Sequence, residues 1–235
     1  ALWLVSPARV VAGFNNANAT HYRFAAAELA APAWREKAVS LVMAGGLIGA
    51  VAGPNLAAIT RQWLAAPFAG AYVALAAVAV LAAVLMHFIR FPAPPAAKAG
   101  QAGRPLSEIA RQPVFIVAAM AGALGFGVMN LLMAATPLAM QVCSFPFEDV
   151  AWVLEWHVIG MFAPGFFTGH LIRRFGALPV MAAGLLLNLG CIVVALSGVE
   201  LHRFLVALFL LGVGWNFLFT GSTTLSLSAY TADER

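Results

Sequence analysis

The chain has 235 residues, of which 63% are hydrophobic and only 9% are charged, and its formal net charge is +4. A soluble domain with so few charged residues would lack the polar side chains that cover a surface. The small positive charge does not favour nucleic acid as a partner, and the two cysteines are too few for a disulfide framework. The composition therefore predicts an all-α, polytopic membrane protein, with no metal or other cofactor expected.

Apolar segments long enough to cross a bilayer recur along the chain, since a spanning helix needs about 20 mostly apolar residues. We predict seven of them: Leu2–Ala27, Ala38–Ala58, Pro67–Phe91, Val114–Met133, Val150–Ile172, Leu178–Leu196 and Phe204–Leu225. The first span is the least apolar, because polar residues occupy its second half. The third and sixth spans are apolar on all sides, which is typical of helices that face lipid.

A polar stretch rich in proline, alanine and glycine separates the third span from the fourth. It divides the chain into the end of one helical bundle at residues 1–91, a cytoplasmic linker at 92–113, and a second bundle of four spans at 114–235. Leu106 to Arg111 could form a short surface helix capped by Ser107. A solvated linker is the interpretation that we favour.

Basic residues set the predicted orientation, because lysine and arginine collect in cytoplasmic loops. If odd-numbered spans end in the cytoplasm, only Arg61 and Arg203 remain outside. The cytoplasmic side then receives Arg35, Lys37, Arg90, Lys98, Arg104, Arg111, Arg173, Arg174 and Arg235. This topology starts the chain outside without a signal segment and stops it directly after a span. We therefore expect the central part of a longer protein, located in a bacterial inner membrane.

The second span carries Gly45, Gly49 and Gly53 at intervals of four residues, followed by Pro54. On a helix these glycines form one bare stripe, which allows a neighbouring backbone to approach closely within lipid. Pro54 removes a backbone donor and bends the helix. The segment is predicted to be a packing and hinge element of a protein that moves.

An internal repeat points to a transporter. Gly13-Phe14-Asn15 in the first span and Gly214-Trp215-Asn216 in the seventh are each followed by an arginine at similar spacing. Parallel repeats of six spans are a known transporter architecture.

Four motifs in chain order resemble those of the major facilitator superfamily, from its fourth helix to its tenth. They are Arg9-Val-Val-Ala-Gly13, then Glu28 with Pro32 and Arg35, then Gly45 to Pro54, and Gly169-His-Leu-Ile-Arg-Arg174-Phe-Gly176. The resemblance implies seven of twelve helices from a two-bundle secondary transporter that works by alternating access. We also expect a monomer and a protein that is not an enzyme.

The chain departs from the family pattern at two of these motifs, and the first departure leaves the direction of coupling open. Asn55-Leu-Ala-Ala58 follows Gly53-Pro54, where the family's antiporter-associated motif often continues with two glycines. Arg173 stands where the loop motif often has an aspartate, so its usual charge relay does not carry over unchanged.

The resemblance also implies that the first, fourth and seventh spans line a central cavity. Amides at membrane depth need partners, so they should face the protein interior or a wet cavity. The substrate-binding candidates are Asn15, Asn16, Asn130, Trp215 and Asn216. The alternative is that these amides hydrogen-bond one helix to another.

Charged and titratable residues supply candidates for coupling and gating. Arg9, His21, Glu155 and His157 could attract an anionic solute or carry a proton, whereas the alternatives are a scaffold role for Arg9 and an interfacial position for Glu155 and His157. Ion pairs at the inner mouth could bias alternating access. The residues available for them are Glu28, Arg35, Arg173, Arg174, Asp233 and Glu234.

Other functions compete with solute transport. A seven-helix receptor or retinal photoprotein would have the same topology, although the span Phe204–Leu225 lacks the lysine that retinal requires. An intramembrane hydrolase would depend on Ser222, which has no recognisable partner base. The sequence favours a membrane transporter of a small solute, with protons as a candidate coupling ion and lipid as its surroundings.

Overall fold

The computed structural model describes residues 35–66, 68–89 and 104–230, together with Tyr22 and Leu29, and within these ranges it contains helices and no strands. The helices are α1 (Arg35–Thr60), α2 (Ala69–His87), α3 (Leu106–Ala110), α4 (Pro113–Val142), α5 (Phe147–Phe162), α6 (Gly165–Phe175), α7 (Ala177–Leu196) and α8 (Leu201–Leu227).

Five segments of this part of the chain are long and apolar enough to cross a membrane. They are Ala69–His87, Pro113–Val142, Phe147–Phe175, Ala177–Leu196 and Leu201–Ser226, and α1 adds a shorter apolar stretch at Gly45–Thr60. The predicted all-α polytopic architecture is confirmed. The first predicted span, Leu2–Ala27, lies outside the described residues except for Tyr22.

The predicted fifth span, Val150–Ile172, is kinked rather than continuous. Helix α5 ends at Phe162 and α6 begins at Gly165, with Pro164 between them. Proline has no N–H to donate, so the regular hydrogen-bonding pattern is interrupted there. Helical hydrogen bonding resumes at the carbonyl of Pro164, which accepts from the backbone N–H groups of Phe167 and Thr168 at 2.9 and 2.8 Å.

The predicted fourth span is too short. Helix α4 continues past Met133 to Val142, although Pro137 lies inside it. One missing donor does not end a helix whose neighbouring turns remain bonded. At about 1.5 Å per residue the helix is roughly 45 Å long, so it extends beyond the hydrocarbon layer of about 30 Å.

The end of the linker is attached to the bundle instead of being fully solvated. Ile109 in α3 is buried, and the helix begins after Pro105 with no side-chain cap, so the expected Ser107 cap is wrong. The side chains of Arg104 and Gln112 both donate to the carbonyl of Ala229, at 3.1 and 2.9 Å. These bonds tie the approach to α4 to the end of α8.

Helix α8 is the centre of the described bundle, where it packs against α4, α5, α6 and α7. Half of the residues in its most apolar 18-residue stretch are buried, compared with 6% in the corresponding stretch of α2. Helix α2 packs against α1. Close backbone crossings explain this burial. A Cβ on Gly184 of α7 would lie 2.8 Å from the carbonyl oxygen of Gly214, and one on Gly160 of α5 would lie 2.9 Å from that of Phe209.

The two ends of the bundle carry different contacts. The Arg61 guanidinium, after the end of α1, lies 5.4 Å from the ring centroid of Phe147 at the start of α5. Arg104 contacts Ala229 at the opposite end, beyond the last turn of α8. Arg61 and Arg104 therefore lie at opposite ends of the bundle, as the predicted topology requires.

Candidate functional site

Helices α4, α5 and α8 meet at a group of aromatic and methionine side chains, which we call the aromatic–methionine cluster. Its buried members are Met129, Met161 and Trp215, and the partly buried members packed against them are Met133, Phe162 and Phe219. Trp215 and Phe219 are one turn apart on α8 and therefore share a helix face. The cluster extends from α8 to both neighbouring helices.

Trp215 is the most enclosed aromatic side chain of the cluster, with 5% of its surface exposed. Its ring is stacked on Phe219 at a centroid distance of 4.6 Å and an interplanar angle of 14°. Phe126 of α4 adds a tilted contact at 6.3 Å. The indole Nε1 of Trp215 is buried and has no hydrogen-bond partner among the described residues.

Asn130 lies one turn after Phe126 on α4, so both side chains share the helix face that borders the cluster. Its Nδ2 donates to the backbone carbonyl of Phe126 at 2.9 Å, and the side chain is exposed in the described part of the protein. This bond uses one amide hydrogen, and none of the described residues donates to the amide oxygen of Asn130. Solute contact by Asn130 and Trp215 stays a prediction.

Asn216 is fully buried next to Trp215, but its polar atoms are directed at α5 and α6. Its Nδ2 donates to the carbonyl of Met161 at 2.6 Å, and its Oδ1 accepts from the Thr168 hydroxyl at 2.7 Å. Thr168 also lies 2.7 Å from the carbonyl of Pro164. Asn216 therefore joins α8 to the α5–α6 kink. This geometry is the one expected from helix-to-helix bonding, and solute contact by Asn216 is an untested prediction.

His157 is also fully buried, between α5 and α8, where Nδ1 lies 2.7 Å from the carbonyl of Leu208. A carbonyl only accepts, so Nδ1 carries the proton and donates. Nε2 is buried and has no partner in the described ranges. Glu155, two residues earlier, points to a different side of α5 and is partly exposed. The structure does not bring these two coupling candidates together.

The glycine stripe of α1 is open. A Cβ placed on Gly45, Gly49 or Gly53 would meet no atom within 4 Å among the described residues. The close contact lies at Gly46, outside the stripe, where a Cβ would approach the Phe162 ring at 2.9 Å. Pro54 lies within α1 without ending it.

Arg173 and Arg174 occupy the last turn of α6, and both are exposed. Cations are favoured there, because the carbonyl end of a helix carries partial negative charge. Gly176 follows with a φ of 89°, a left-handed conformation that suits glycine and leads directly into α7.

The remaining predicted site residues cannot be placed in this arrangement. Arg35 is the first residue of α1, and its side chain is not among those described. The others lie outside the described residues: Arg9, Asn15, Asn16, His21, Glu28, Asp233 and Glu234.

Sequence reasoning missed several residues of the site, among them Phe126, Thr168, Phe219 and the methionines of the cluster. Phe219 follows Trp215 by one helical turn, and Phe126 precedes Asn130 by one turn, so helical spacing could have identified both. Thr168 gives no such signal, because its role depends on a partner from another helix.

Membrane-spanning helices with buried polar groups between them are typical of polytopic membrane transport proteins. The chain belongs to the major facilitator superfamily, whose family model matches residues 1–235. This confirms the family that the four motifs indicated, and it removes the basis for the receptor, photoprotein and hydrolase alternatives.

Relatives named as transporters match nearly the whole chain. The riboflavin transporter RfnT of Brucella anthropi is 39% identical over 231 residues, which cover 96% of this chain and 58% of the relative. Two proteins of Bacillus subtilis named as uncharacterized MFS-type transporters also match. YdeG is 29% identical, covering 98% of this chain and 58% of its own length. YddS is 26% identical, with coverages of 92% and 54%.

The chain spans a little over half the length of these curated relatives. No solved structure matches it significantly.

Proposed function

We propose that the full-length protein is a monomeric secondary transporter that moves a small solute across the bacterial cytoplasmic membrane. The observation that carries this proposal is the family match over the entire chain, together with relatives that are named as transporters. Residues 1–91 and 114–235 would belong to two helical bundles, joined by the linker at 92–113.

Alternating access is the mechanism that we propose for this movement. Helix α1 contacts α5 with Gly46 against the ring of Phe162, and in the proposed division these helices would belong to different bundles. A glycine against a ring presents little to interlock, so the two helices can shift relative to each other. Rocking at this seam would expose a central site to each side of the membrane in turn.

Riboflavin is the first solute to test, because a relative of 39% identity is named a riboflavin transporter. The full-length protein would be reconstituted into proteoliposomes, and uptake of radiolabelled riboflavin would be compared with uptake of other small solutes. We expect saturable uptake that unlabelled solute competes away and that protein-free liposomes lack. A reconstituted, folded protein that moves none of the solutes would contradict the proposal.

Proton coupling is the finer part of the proposal, and His157 and Glu155 are its testable candidates. His157→Asn places an amide N–H near the position of Nδ1, so it can keep the bond to Leu208 while removing the titratable ring. Glu155→Gln removes the carboxylate with little change in shape. We expect a pH gradient to drive accumulation in the unsubstituted protein, and one of the two variants to retain exchange while losing this response. If a gradient has no effect on the unsubstituted protein, coupling to protons is wrong.

A further inference from the structure

Helix α6 lies between the two proposed bundles. It packs against α1 of the first bundle and against α7 and α8 of the second. The break at Pro164 separates it from α5, so the helical hydrogen-bonding pattern does not continue from one helix into the other. When the bundles shift relative to each other, α6 can follow either neighbour. The contacts that fasten α6 to α8 therefore decide with which bundle it moves.

Helix α5, in contrast, is fixed to α8 by contacts of its own. His157 Nδ1 lies 2.7 Å from the carbonyl of Leu208. At Gly160 the two backbones come so close that an added Cβ would lie 2.9 Å from the carbonyl oxygen of Phe209. Both contacts lie before Pro164 in the chain, so they hold α5 without holding α6.

The side chain of Asn216 on α8 bonds to both sides of the break. Carbonyl groups in the last turn of a helix lack partners within that helix. The carbonyl of Met161, in the last turn of α5, accepts from Asn216 Nδ2 at 2.6 Å. The hydroxyl of Thr168, in the first turn of α6, lies 2.7 Å from Asn216 Oδ1. One buried amide thus joins the end of α5 and the start of α6 to the same point of α8.

The hydrogen of the Thr168 hydroxyl has two acceptors within reach. Oγ1 lies 2.7 Å from Asn216 Oδ1 and 2.7 Å from the carbonyl of Pro164. That carbonyl already accepts from the backbone N–H groups of Phe167 and Thr168, which matches its two lone pairs. The hydroxyl is therefore better satisfied by donating to Asn216. Without this bond a buried amide oxygen would lose its donor, which is unfavourable.

We propose that Asn216 and Thr168 are positioning residues that fasten α6 to α8, so that α6 moves with the second bundle and slides on α1. The proposal deepens the proposed transport function and rests on it. Loss of the bond lets α6 pivot at Pro164 and follow α1. This slows the change of access while the contacts that bind the solute stay as they are.

The distance between α6 and the end of α8 tests the proposal in the full-length protein. Nitroxide labels are attached at His170→Cys on α6 and at Ser228→Cys after α8, both exposed positions. Cys143→Ser removes the exposed cysteine, and Cys191 is buried. Pulsed electron paramagnetic resonance then gives the distribution of distances between the labels.

We expect one narrow distance distribution in the protein with Thr168 and in Thr168→Ser, which keeps the hydroxyl. Thr168→Val keeps the shape of the side chain and removes the donor. The fraction of molecules outside the narrow distribution should then rise about fivefold, the effect of one hydrogen bond.

Uptake kinetics in proteoliposomes separate positioning from solute contact, with riboflavin as the probe. Thr168→Val should lower the maximal rate about fivefold and leave the half-saturating concentration unchanged, whereas Thr168→Ser should keep the rate. Thr224→Val is the matched control, because the Thr224 hydroxyl is exposed and bonds to the carbonyl of Thr220 on its own helix at 2.9 Å. Its distances and rates should equal those of the unsubstituted protein.

A folded Thr168→Val with the narrow distribution would overturn the proposal, and so would a Thr168→Ser that behaves like Thr168→Val. If Thr168→Val does not fold because the Asn216 amide is left unpaired, Asn216→Leu is added to it. This double variant removes both polar groups at nearly constant shape, which costs little stability. It should show the broadened distribution, and a narrow one would contradict the proposal.

The two readouts distinguish this proposal from the proposed function. A changed half-saturating concentration in Thr168→Val would indicate solute contact and contradict a positioning role. Absence of uptake by the unsubstituted protein would count against riboflavin transport. The label distances would still decide whether Thr168 fastens α6 to α8.

Discussion

Helices α8 and α1 both carry glycines, but the surroundings of these glycines differ. On α8, a Cβ at Gly212 would collide with the carbonyl oxygen of His157, and one at Gly214 would collide with the side chain of Asn188. On α1, no atom of the described residues would lie within 4 Å of a Cβ added at Gly45 or Gly49. Glycine spacing therefore predicts that a close contact is possible, and the facing helix decides whether it forms.

The two helices also differ in how side chains fix them. His157 and Asn216 each hydrogen-bond across the contact of α5 with α8, in addition to the close backbone crossing. At the contact of α1 with α5, the backbone of Gly46 packs against the ring of Phe162. We therefore expect the helices around α8 to move as one body, and the seam beside α1 to accommodate conformational change.

The largest expected effect comes from filling a glycine position on α8. In Gly212→Ala the added methyl group has no space, because the backbones of α5 and α8 touch there. Overpacking of this kind costs about 1–3 kcal/mol of stability. Thermal unfolding of the purified protein in detergent should show a clear decrease in midpoint and a smaller folded fraction by gel filtration.

Gly49→Ala is the matched control on α1. Alanine is favoured over glycine within a helix by about 1 kcal/mol, and the position is open in the described part of the chain, so the midpoint should be unchanged or slightly higher. A decrease as large as that of Gly212→Ala would show that the stripe packs tightly against another part of the protein. The contrast between the two helices would then be wrong.

A second comparison sets Asn216 against Asn130. Asn216→Ala leaves the Met161 carbonyl without its side-chain donor and removes the acceptor of Thr168, so we expect a loss of about 1–3 kcal/mol. Asn130→Ala removes an exposed amide bonded to its own helix and should change stability by less than about 0.5 kcal/mol. Unfolding midpoints and uptake rates would be measured together. A stable Asn216→Ala that fails to transport would instead indicate solute contact.

Much of the fold follows from the sequence because hydropathy and length constrain spanning helices strongly. The predicted span Leu178–Leu196 corresponds to α7 at Ala177–Leu196, and Phe204–Leu225 corresponds to α8 at Leu201–Leu227. The kink at Pro164 was missed, although a proline followed by Gly165 is a readable signal. The sequence did not predict the extension of α4 beyond Met133, because the number of residues needed to cross a bilayer is a minimum and does not limit how long a helix can be.

The site could be predicted less completely than the fold, because it depends on which helices face each other. The sequence identified Trp215 and Asn216 as adjacent polar or aromatic residues at membrane depth. It could not distinguish their surroundings, since neighbouring residues on a helix point about 100° apart and meet different partners. Trp215 faces Met129 and Phe219, whereas Asn216 faces Met161 and Thr168.

The smallest expected effects are at the linker, and they test how far the body around α8 extends. Gln112→Ala removes one of two donors to the Ala229 carbonyl, and Arg104 still donates to it, so the loss should be at most about 1 kcal/mol. Ser107→Ala is the control. Ser107 lies inside α3 and does not cap it, so the unfolding midpoint should not change, whereas loss of a true serine cap costs about 1 kcal/mol.

The double substitution Arg104→Ala with Gln112→Ala sharpens this test, because it removes both side-chain donors from Ala229. If α3 belongs to the body around α8, the double variant should lose more stability than the sum of the single variants, since each donor compensates for the other. Additive or absent effects would place the end of the linker outside that body. The start of α4 would then be fixed by its own packing against α8 and not by its attachment to Ala229.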